Sequence, residues 1–149
     1  MSFGGGGCRC GACRYVLDFP VLPASYACHC LDCQTMTGSG FSLHAVVPVS
    51  RFAVDGALEG WSRINGEGTR TTHYVCAVCK TRIHSTNVGR PGLAIVRTGT
   101  LDDSMDVVPA VHMWAKRKQA WIGLPADAEI YDEAVPIERL KAIFSLNLS

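Results

Sequence analysis

Eight cysteines dominate the chemistry that this chain of 149 residues could perform. The segment CRCGAC at 8–13 and the segment CHCLDC at 28–33 share the spacing C-x-C-x-x-C, and CAVC at 76–79 adds two more thiols. Thiolates one or two residues apart can converge on one ion as the backbone turns around it, and zinc commonly takes such ligands in a tetrahedral arrangement. The question that these spacings raise is which thiols share a metal.

Composition indicates the kind of protein that carries these thiols. With 48% hydrophobic residues, 18% charged residues and a formal net charge of +1, the chain has the make-up of a soluble globular protein. No global field attracts nucleic acid or an anionic membrane, and we interpret the basic run KRK at 116–118 as a solvated turn. We expect a cytoplasmic protein with neither nucleic acid nor membrane as a partner, because no signal sequence or membrane-spanning stretch is evident. Disulfides are scarce in the cytosol, so the cysteines point to metal.

The segments that must position the cysteines are typical of a β protein. Short runs rich in Val, Ile, Thr and aromatic residues are separated by Gly, Pro, Asn and Asp. The predicted strands lie at 13–19, 41–49, 70–76, 81–86, 93–99, 110–116 and 128–132. A terminal helix is predicted after Pro136, where apolar residues recur at helical spacing at Ile137, Leu140, Ile143 and Phe144. We expect one domain over residues 1–149, since no long linker divides the chain.

The cysteines at 76–79 lie between two predicted strands and therefore in a hairpin loop. This pair needs two more ligands, for which Cys8 and Cys10 compete with the cluster at 28–33. Spacing alone does not decide between them.

Cys13 and Cys33 hold equivalent places in the repeated spacing but differ in the residues that come after them. In a strand starting at Cys13, that thiol shares a face with Tyr15 and Leu17, which makes a core position the favoured interpretation and ligation the alternative. Cys33 is followed by QTMTGSG, which indicates a loop or a short helix at the surface. The three thiols at 28–33 therefore form a predicted cluster with a fourth position available to another ligand.

The five histidines are weaker candidates. His29, between two predicted ligands, could contact a metal-bound species or point to solvent. His44, His73 and His84 fall within strand patterns and are interpreted as ordinary sheet residues. His112 is flanked by apolar residues, so it is either a core imidazole or a donor into a pocket.

Together these motifs resemble the glutathione-dependent formaldehyde-activating enzyme family, which includes centromere protein V-like members. The matching segments occur in the family's order and at similar intervals. They are GGCRCGACRY at 6–15, CHCLDCQTMTGSGF at 28–41, CAVC at 76–79, VRTGTLDD at 96–103 and HMW at 112–114.

This resemblance implies a mainly β fold, a β-tent of stacked antiparallel sheets clipped by two zinc ions, with a short C-terminal helix. It assigns one structural zinc to Cys8, Cys10, Cys76 and Cys79. It assigns a second, more weakly held zinc to Cys28, Cys30 and Cys33, with the fourth position open to water or a thiol. The chain departs from the family at Lys80, where the hairpin usually has a glycine of positive φ, and at Cys13, which leaves a second site of four cysteines as an alternative.

The activity that the resemblance implies is that of a zinc-dependent carbon–sulfur lyase. It would act on glutathione and formaldehyde, forming or breaking S-hydroxymethylglutathione, or on a related adduct of a thiol and an aldehyde. Cys28, Cys30 and Cys33 would form the catalytic centre, with backbone N–H groups from TGSG at 37–40 and a charge from Arg14 or Lys80 as candidate supports. The alternative is a non-catalytic zinc module that binds or carries a thiol or a protein partner.

Overall fold

A computed structural model describes residues 4–19 and 21–144 of the chain. Within those ranges the strands are β1 Gly5–Gly7, β2 Arg14–Leu17, β3 Tyr26–Cys28, β4 Ser42–Pro48, β5 Phe52–Asp55, β6 Leu58–Ile64, β7 Arg70–Cys76, β8 Arg82–Asn87, β9 Leu93–Arg97, β10 Val111–Met113 and β11 Glu129–Ile130. The α-helices are α1 Leu31–Thr37 and α2 Ile137–Phe144. The prediction of a mainly β protein with a short C-terminal helix is confirmed.

The described residues belong to two compact units. Unit 1 comprises Met1–Pro23 and Val46–Val107, and unit 2 comprises Ala24–Ala45 and Val108–Ser149. The single domain over residues 1–149 stays a prediction. No helix in the described ranges is long and apolar enough to cross a bilayer.

Unit 1 contains two antiparallel arrays of strands. In one, β2 lies between β1 and β5; in the other, β6, β7, β8 and β9 follow one another as an up-and-down sheet. The ring of Phe52 on β5 meets the ring of His84 on β8 edge-on, with centroids 4.8 Å apart. Tyr15 on β2 packs on the same phenylalanine at 5.2 Å. Apolar side chains alternating along each strand therefore meet between the two arrays to form the core of unit 1.

A β-bulge interrupts the pairing of β7 with β8. Tyr74 lies opposite His84, whereas the next residue, Val75, lies opposite Arg82, so Ile83 is one residue more than the partner strand supplies. Ile83 and His84 are both buried. The extra residue turns Arg82 to the face of the sheet that carries Val75, instead of the core face.

Strand β1 consists of three glycines, and no alternation of side chains predicts it. A Cβ atom on Gly5 would lie 2.5 Å from the carbonyl oxygen of Tyr15, and one on Gly6 would overlap the Thr100 carbonyl oxygen and the Tyr15 hydroxyl. Glycine is therefore required here for close approach of neighbouring chain segments rather than for a turn.

Unit 2 has a mixed sheet. Strand β3 pairs antiparallel with β4 and parallel with β10, and β10 pairs parallel with β11. The strands of unit 1 pair antiparallel, as expected, whereas unit 2 also contains two parallel pairs of strands. Parallel neighbours need long connections, and most of the chain separates β3 from β10. Helix α2 contributes Phe144, whose ring lies 5.8 Å from that of Tyr26 on β3.

Because β1 has no room for Cβ atoms, replacing one of its glycines by alanine should destabilise the protein more than the same change at an open position. We expect Gly6→Ala to lower the free energy of unfolding by about 2 kcal/mol, because the added Cβ atom overlaps the Thr100 carbonyl oxygen and the Tyr15 hydroxyl and forces β1 to shift. The matched control is Gly66→Ala, where a Cβ atom meets nothing within 4 Å, and its effect should stay within about 0.5 kcal/mol. Denaturant unfolding of both variants measures the difference, and equal stabilities would contradict this role of β1.

Candidate metal centres

Four thiols of unit 1 form a cluster, called here the four-thiol cluster. The sulfur atoms of Cys8, Cys10, Cys76 and Cys79 all lie within 4.8 Å of one another. The sulfur of Cys10 is 3.5 Å from that of Cys8 and 3.8 Å from that of Cys76. Metal–sulfur bonds of about 2.3 Å in a tetrahedron place the ligands about 3.8 Å apart. All eight cysteines lie in the described ranges as free thiols, so this cluster suits an ion and not a disulfide.

Two turns bring these four thiols together. Cys8 and Cys10 follow the glycine strand, in a turn closed by the Cys8 amide donating to the Cys13 carbonyl at 3.0 Å. Cys76 ends β7, and Cys79 lies in the turn before β8. Lys80 stands where the hairpins of the family usually have glycine, and the positive φ is kept, because Lys80 itself has a φ of 65°. Its side chain donates to the Ala77 carbonyl at 2.9 Å and to Glu59, contacts that help to hold a conformation usually left to glycine.

Donors directed at the sulfur atoms favour thiolates in the four-thiol cluster. The Cys13 amide donates to the sulfur of Cys8 at 3.2 Å, and the Val78 amide donates to that of Cys76 at 3.4 Å. Thr81 lies 3.0 Å from the sulfur of Cys79, and this contact is the main cause that lowers the pKa of Cys79 to about 5. Crowded thiolates, two of them buried, repel one another unless a cation lies among them, so the donor set fits a divalent metal.

Cys13 belongs to neither thiol cluster. Its side chain is 1% exposed, and its sulfur donates to the Ala57 carbonyl at 3.2 Å. Burial raises the pKa of this thiol to about 12. Tyr15 and Leu17 are buried beside it on β2, whereas Val16 is exposed, so the prediction of a core thiol is confirmed.

A second cluster, the three-thiol cluster, lies in unit 2. The sulfurs of Cys28, Cys30 and Cys33 lie within 4.8 Å of one another. Cys28 ends β3, Cys30 caps α1, and the Cys33 amide donates to the sulfur of Cys30 at 3.4 Å. The segment after Cys33 is a helix, one of the two predicted alternatives. One helical turn thus places Cys30 and Cys33 on the same side of the chain.

The three-thiol cluster also fits a cation. Hydrogen bonds from Cys28 and Cys33, with backbone N–H groups at the start of α1, lower the pKa of Cys30 to about 2. The side-chain contacts of Cys28 with Cys30 and Cys33 raise the pKa of Cys28. Without a cation, therefore, only one of the three neighbouring thiols is readily deprotonated. Among residues 4–19 and 21–144, no fourth Cys, His, Asp or Glu side chain joins this set.

A serine and a histidine support the three-thiol cluster and were missed by sequence reasoning. The hydroxyl of Ser42 lies 2.5 Å from Nε2 of His44 and is close enough to Cys33 to favour the thiolate form of that residue, an influence that lowers its pKa. Both residues are buried on β4, where Ser42 pairs with Cys28 of β3. The only signal in the sequence is their spacing of two residues, which puts them on one face of a strand. That spacing does not reveal that the two residues lie beside the cysteines, because this depends on how β4 pairs with β3.

His29 and His112 form a buried pair in unit 2. His29 is fully buried, so the expectation that it points to solvent is wrong. Its Nε2 atom lies 3.1 Å from Nδ1 of His112, which makes one ring the donor and the other the acceptor. Burial lowers the pKa of both imidazoles. Of the two interpretations of His112, the core imidazole is the one observed, and it fixes the segment between Cys28 and Cys30.

The remaining candidates are strand histidines and charged side chains. His44, His73 and His84 lie in strands, as predicted, and all three are buried. The two charges considered as supports for the second centre have carboxylate partners: Arg14 donates to Asp102 at 2.9 Å, and Lys80 to Glu59 at 2.7 Å. The run at 116–118 forms a turn whose Lys118 ammonium donates to the Ile122 carbonyl at 2.7 Å.

A polar cleft of about 430 Å³ borders helix α1. Gln34 and Thr35 line it from the helix, Gly38, Ser39 and Gly40 from the following segment, and Gln119 and Trp121 from the facing loop. The amide of Gln34 donates to the carbonyls of His29 and Arg117, each at 2.8 Å, which holds the helix and this loop together. Helix α1 therefore contributes Cys33 to the thiol cluster and the next two side chains to the cleft.

Comparisons with known proteins identify the family of this chain. Residues 4–117 match the family model described as glutathione-dependent formaldehyde-activating enzyme. No curated protein matches the chain. The crystal structure of a Rhodobacter sphaeroides protein, a structural genomics target, has a similar fold: at 22% identity, the match covers 70% of this chain and 97% of that one, with a TM-score of 0.53. Since the family model covers most of the sequence, the chain belongs to the glutathione-dependent formaldehyde-activating enzyme family.

Proposed function

We propose that each thiol cluster binds one zinc ion and that the two ions have different roles. Thiolate ligands suit zinc, and four of them in a closed set are typical of structural sites. The four-thiol cluster would hold the structural ion. The three-thiol cluster would hold the second ion more weakly, because it offers one ligand fewer.

On this basis the protein is a carbon–sulfur lyase that acts on glutathione and formaldehyde or on a related thiol–aldehyde adduct. The observation that carries the proposal is the set of three thiols without a fourth protein ligand among the described residues, in a chain of this family. In the forward direction a C–S bond forms between the thiol sulfur and the aldehyde carbon, and the thiol proton passes to the aldehyde oxygen. Zinc, when bound, supplies Lewis acidity that lowers the pKa of an incoming thiol.

The chain's own residues would hold and orient the reactants. Cys28, Cys30 and Cys33 are the ligands at the reacting centre. The Ser42 hydroxyl, held by His44, would donate to Cys33 and offset negative charge on its sulfur. Outer donors of this kind are needed because three thiolates leave a zinc site with a net negative charge.

The polar cleft beside α1 would take the peptide part of the thiol substrate. Gly38, Ser39 and Gly40 line one side of it. The expectation that TGSG supplies backbone N–H donors does not hold for Gly38 and Ser39, because their N–H groups donate to the Gln34 carbonyl and the Thr37 hydroxyl. Gln119 and the exposed ring of Trp121 line the other side. The substrates are thus small molecules; the cytoplasmic location and the absence of a nucleic acid partner stay predictions.

Metal content should distinguish the two neighbouring thiols Cys10 and Cys13. We expect one zinc per cluster, two per chain, in the unmodified protein and in Cys13→Ala, because Cys13 belongs to neither cluster. Cys10→Ala should lose one zinc. Elemental analysis of protein purified without chelator measures this, and loss of one zinc from Cys13→Ala would show that Cys13 is a ligand.

The two clusters should differ in what they contribute to folding. A structural zinc can contribute on the order of 10 kcal/mol, so Cys76→Ala should unfold the protein. Cys33→Ala removes a ligand from a partly exposed cluster and should leave the protein folded. Circular dichroism and thermal unfolding measure both variants, and equal stability of the two would contradict the division of roles.

Activity should follow the three-thiol cluster. The exchange of formaldehyde between free and glutathione-bound forms, measured by NMR against the uncatalysed reaction, should be accelerated by the unmodified protein and by Cys13→Ala. Cys33→Ala should fall to the uncatalysed rate while remaining folded. If the unmodified protein gives no acceleration, the alternative of a non-catalytic zinc module that binds a thiol or a protein partner is favoured.

A further inference from the structure

Strand β6 forms an open edge of the sheet β6–β9 in unit 1. It pairs with β7 over its whole length, Leu58–Ile64, in one continuous register, and with no other strand among the described residues. The strand has seven residues, contains no proline and is interrupted by no bulge. Natural proteins usually interrupt or cover an edge of this kind, because its free backbone groups can pair with another strand. The edge of β6 is therefore a candidate interaction surface.

The pairing of β6 with β7 shows which backbone groups point to the open side. The Ala77 amide donates to the Ala57 carbonyl at 3.0 Å, and the Asn65 amide donates to the Thr69 carbonyl at 2.8 Å. Bonded and non-bonded residues alternate along an antiparallel pair, so the odd-numbered residues of β6 are the ones bonded to β7. The backbone groups that point away from β7 belong to the even-numbered residues Leu58, Gly60, Ser62 and Ile64.

A second copy of β6 fits this edge in one antiparallel register. When the two strands are related by a two-fold axis at Trp61, Gly60 of one copy lies opposite Ser62 of the other, and Leu58 lies opposite Ile64. Every residue whose backbone groups point outward is then in a bonded pair, and each such pair exchanges two hydrogen bonds. A register shifted by two residues leaves part of the edge unpaired. The backbone of β6 therefore favours the register centred on Trp61.

The side chains on both faces of β6 agree with this register. On one face Leu58 meets Ile64 of the other copy, and because Ile64 is 61% exposed in the single chain, pairing removes apolar surface from water. On the opposite face Trp61, which is 42% exposed, meets its own counterpart at the axis. Beside it Glu59 lies opposite Arg63, so opposite charges rather than like charges face each other. Neither charge has to leave its contacts within its own chain.

We propose that two copies of the chain associate through β6, in an antiparallel pair centred on Trp61 that continues the sheet across a two-fold axis. The partner is a second copy because the segment LEGWSRI at 58–64 is complementary to itself when reversed. Its ends are apolar, opposite charges follow inward, small residues come next, and the tryptophan lies at the centre. The surface lies in unit 1 and uses no cysteine, so the inference stands independently of the proposed activity.

Sedimentation velocity of the zinc-loaded full chain over a range of protein concentrations tests this proposal. We expect a reversible equilibrium between monomer and dimer for the unmodified protein. Ser62→Pro removes an outward N–H donor that β7 does not use, so it should leave the monomer folded and weaken the dimer about tenfold or more. The matched control is Ser62→Ala, which also lacks the hydroxyl that contacts Thr72 but keeps the N–H donor, and it should dimerise like the unmodified protein.

A second variant covers the case in which Ser62→Pro does not fold. Ile64→Lys leaves the backbone unchanged and places a charge in the apolar contact with Leu58 of the other copy, so it should also favour the monomer. Its control is Val21→Lys, a change at another exposed apolar residue that lies outside the strands, and it should leave the dimer unchanged.

Hydrogen exchange measured by NMR tests the register. As protein concentration rises, exchange should slow at the outward amides of β6, those of Leu58, Gly60, Ser62 and Ile64. A monomer at every concentration, a dimer that Ser62→Pro and Ile64→Lys do not weaken, or a dimer without slower exchange at these amides overturns the proposal.

Discussion

Convergence of four sulfur atoms within 4.8 Å is the constraint on which unit 1 depends. Two of the atoms come from the turn after β1 and two from the hairpin between β7 and β8, so distant stretches of chain must be held together. Closing so long a loop costs conformational entropy, and crowding thiolates adds electrostatic repulsion. A cation shared by all four offsets both costs. The glycine strand immediately before Cys8 serves the same geometry, because it lets that turn approach β2 without side chains in the way.

The two copies of the spacing C-x-C-x-x-C place their third cysteine differently, because the backbone there differs in secondary structure. After Cys10 the chain turns toward strand β2, which begins at Arg14, and Cys13 just before the strand is buried like Tyr15 and Leu17 within it. After Cys30 it enters helix α1, where residues three apart share a side, and Cys33 joins its neighbours. The secondary structure that follows the second cysteine thus determines whether the motif supplies two ligands or three. A catalytic metal site needs the incomplete set, since a closed one leaves no position for substrate.

Much of this arrangement could be predicted from the sequence, and the failures have physical causes. Alternation identified β2 and the core position of Cys13, and cysteine spacing with the family resemblance identified both clusters. Strand β1 was missed because glycines carry no pattern of polarity, and the burial of His29 because its partner, His112, is distant in the chain. The positive φ of Lys80 was not anticipated, since its compensating contacts depend on the hairpin being folded. Local pattern predicts local structure; pairings between distant residues had to be observed.

The bulge at Ile83 also allows the hairpin turn and the sheet to keep their required numbers of residues at the same time. The hairpin must place Cys76 and Cys79 at a fixed separation in its turn. The strand after the turn must also pair with β9 in the phase that puts Ala94 and Val96 into the core. One additional residue absorbs the mismatch between these requirements. A chain shortened by that residue could keep the turn or the phase of the sheet, but not both. Length in this hairpin is therefore as constrained as residue type, and insertions or deletions there should be tolerated less well than substitutions.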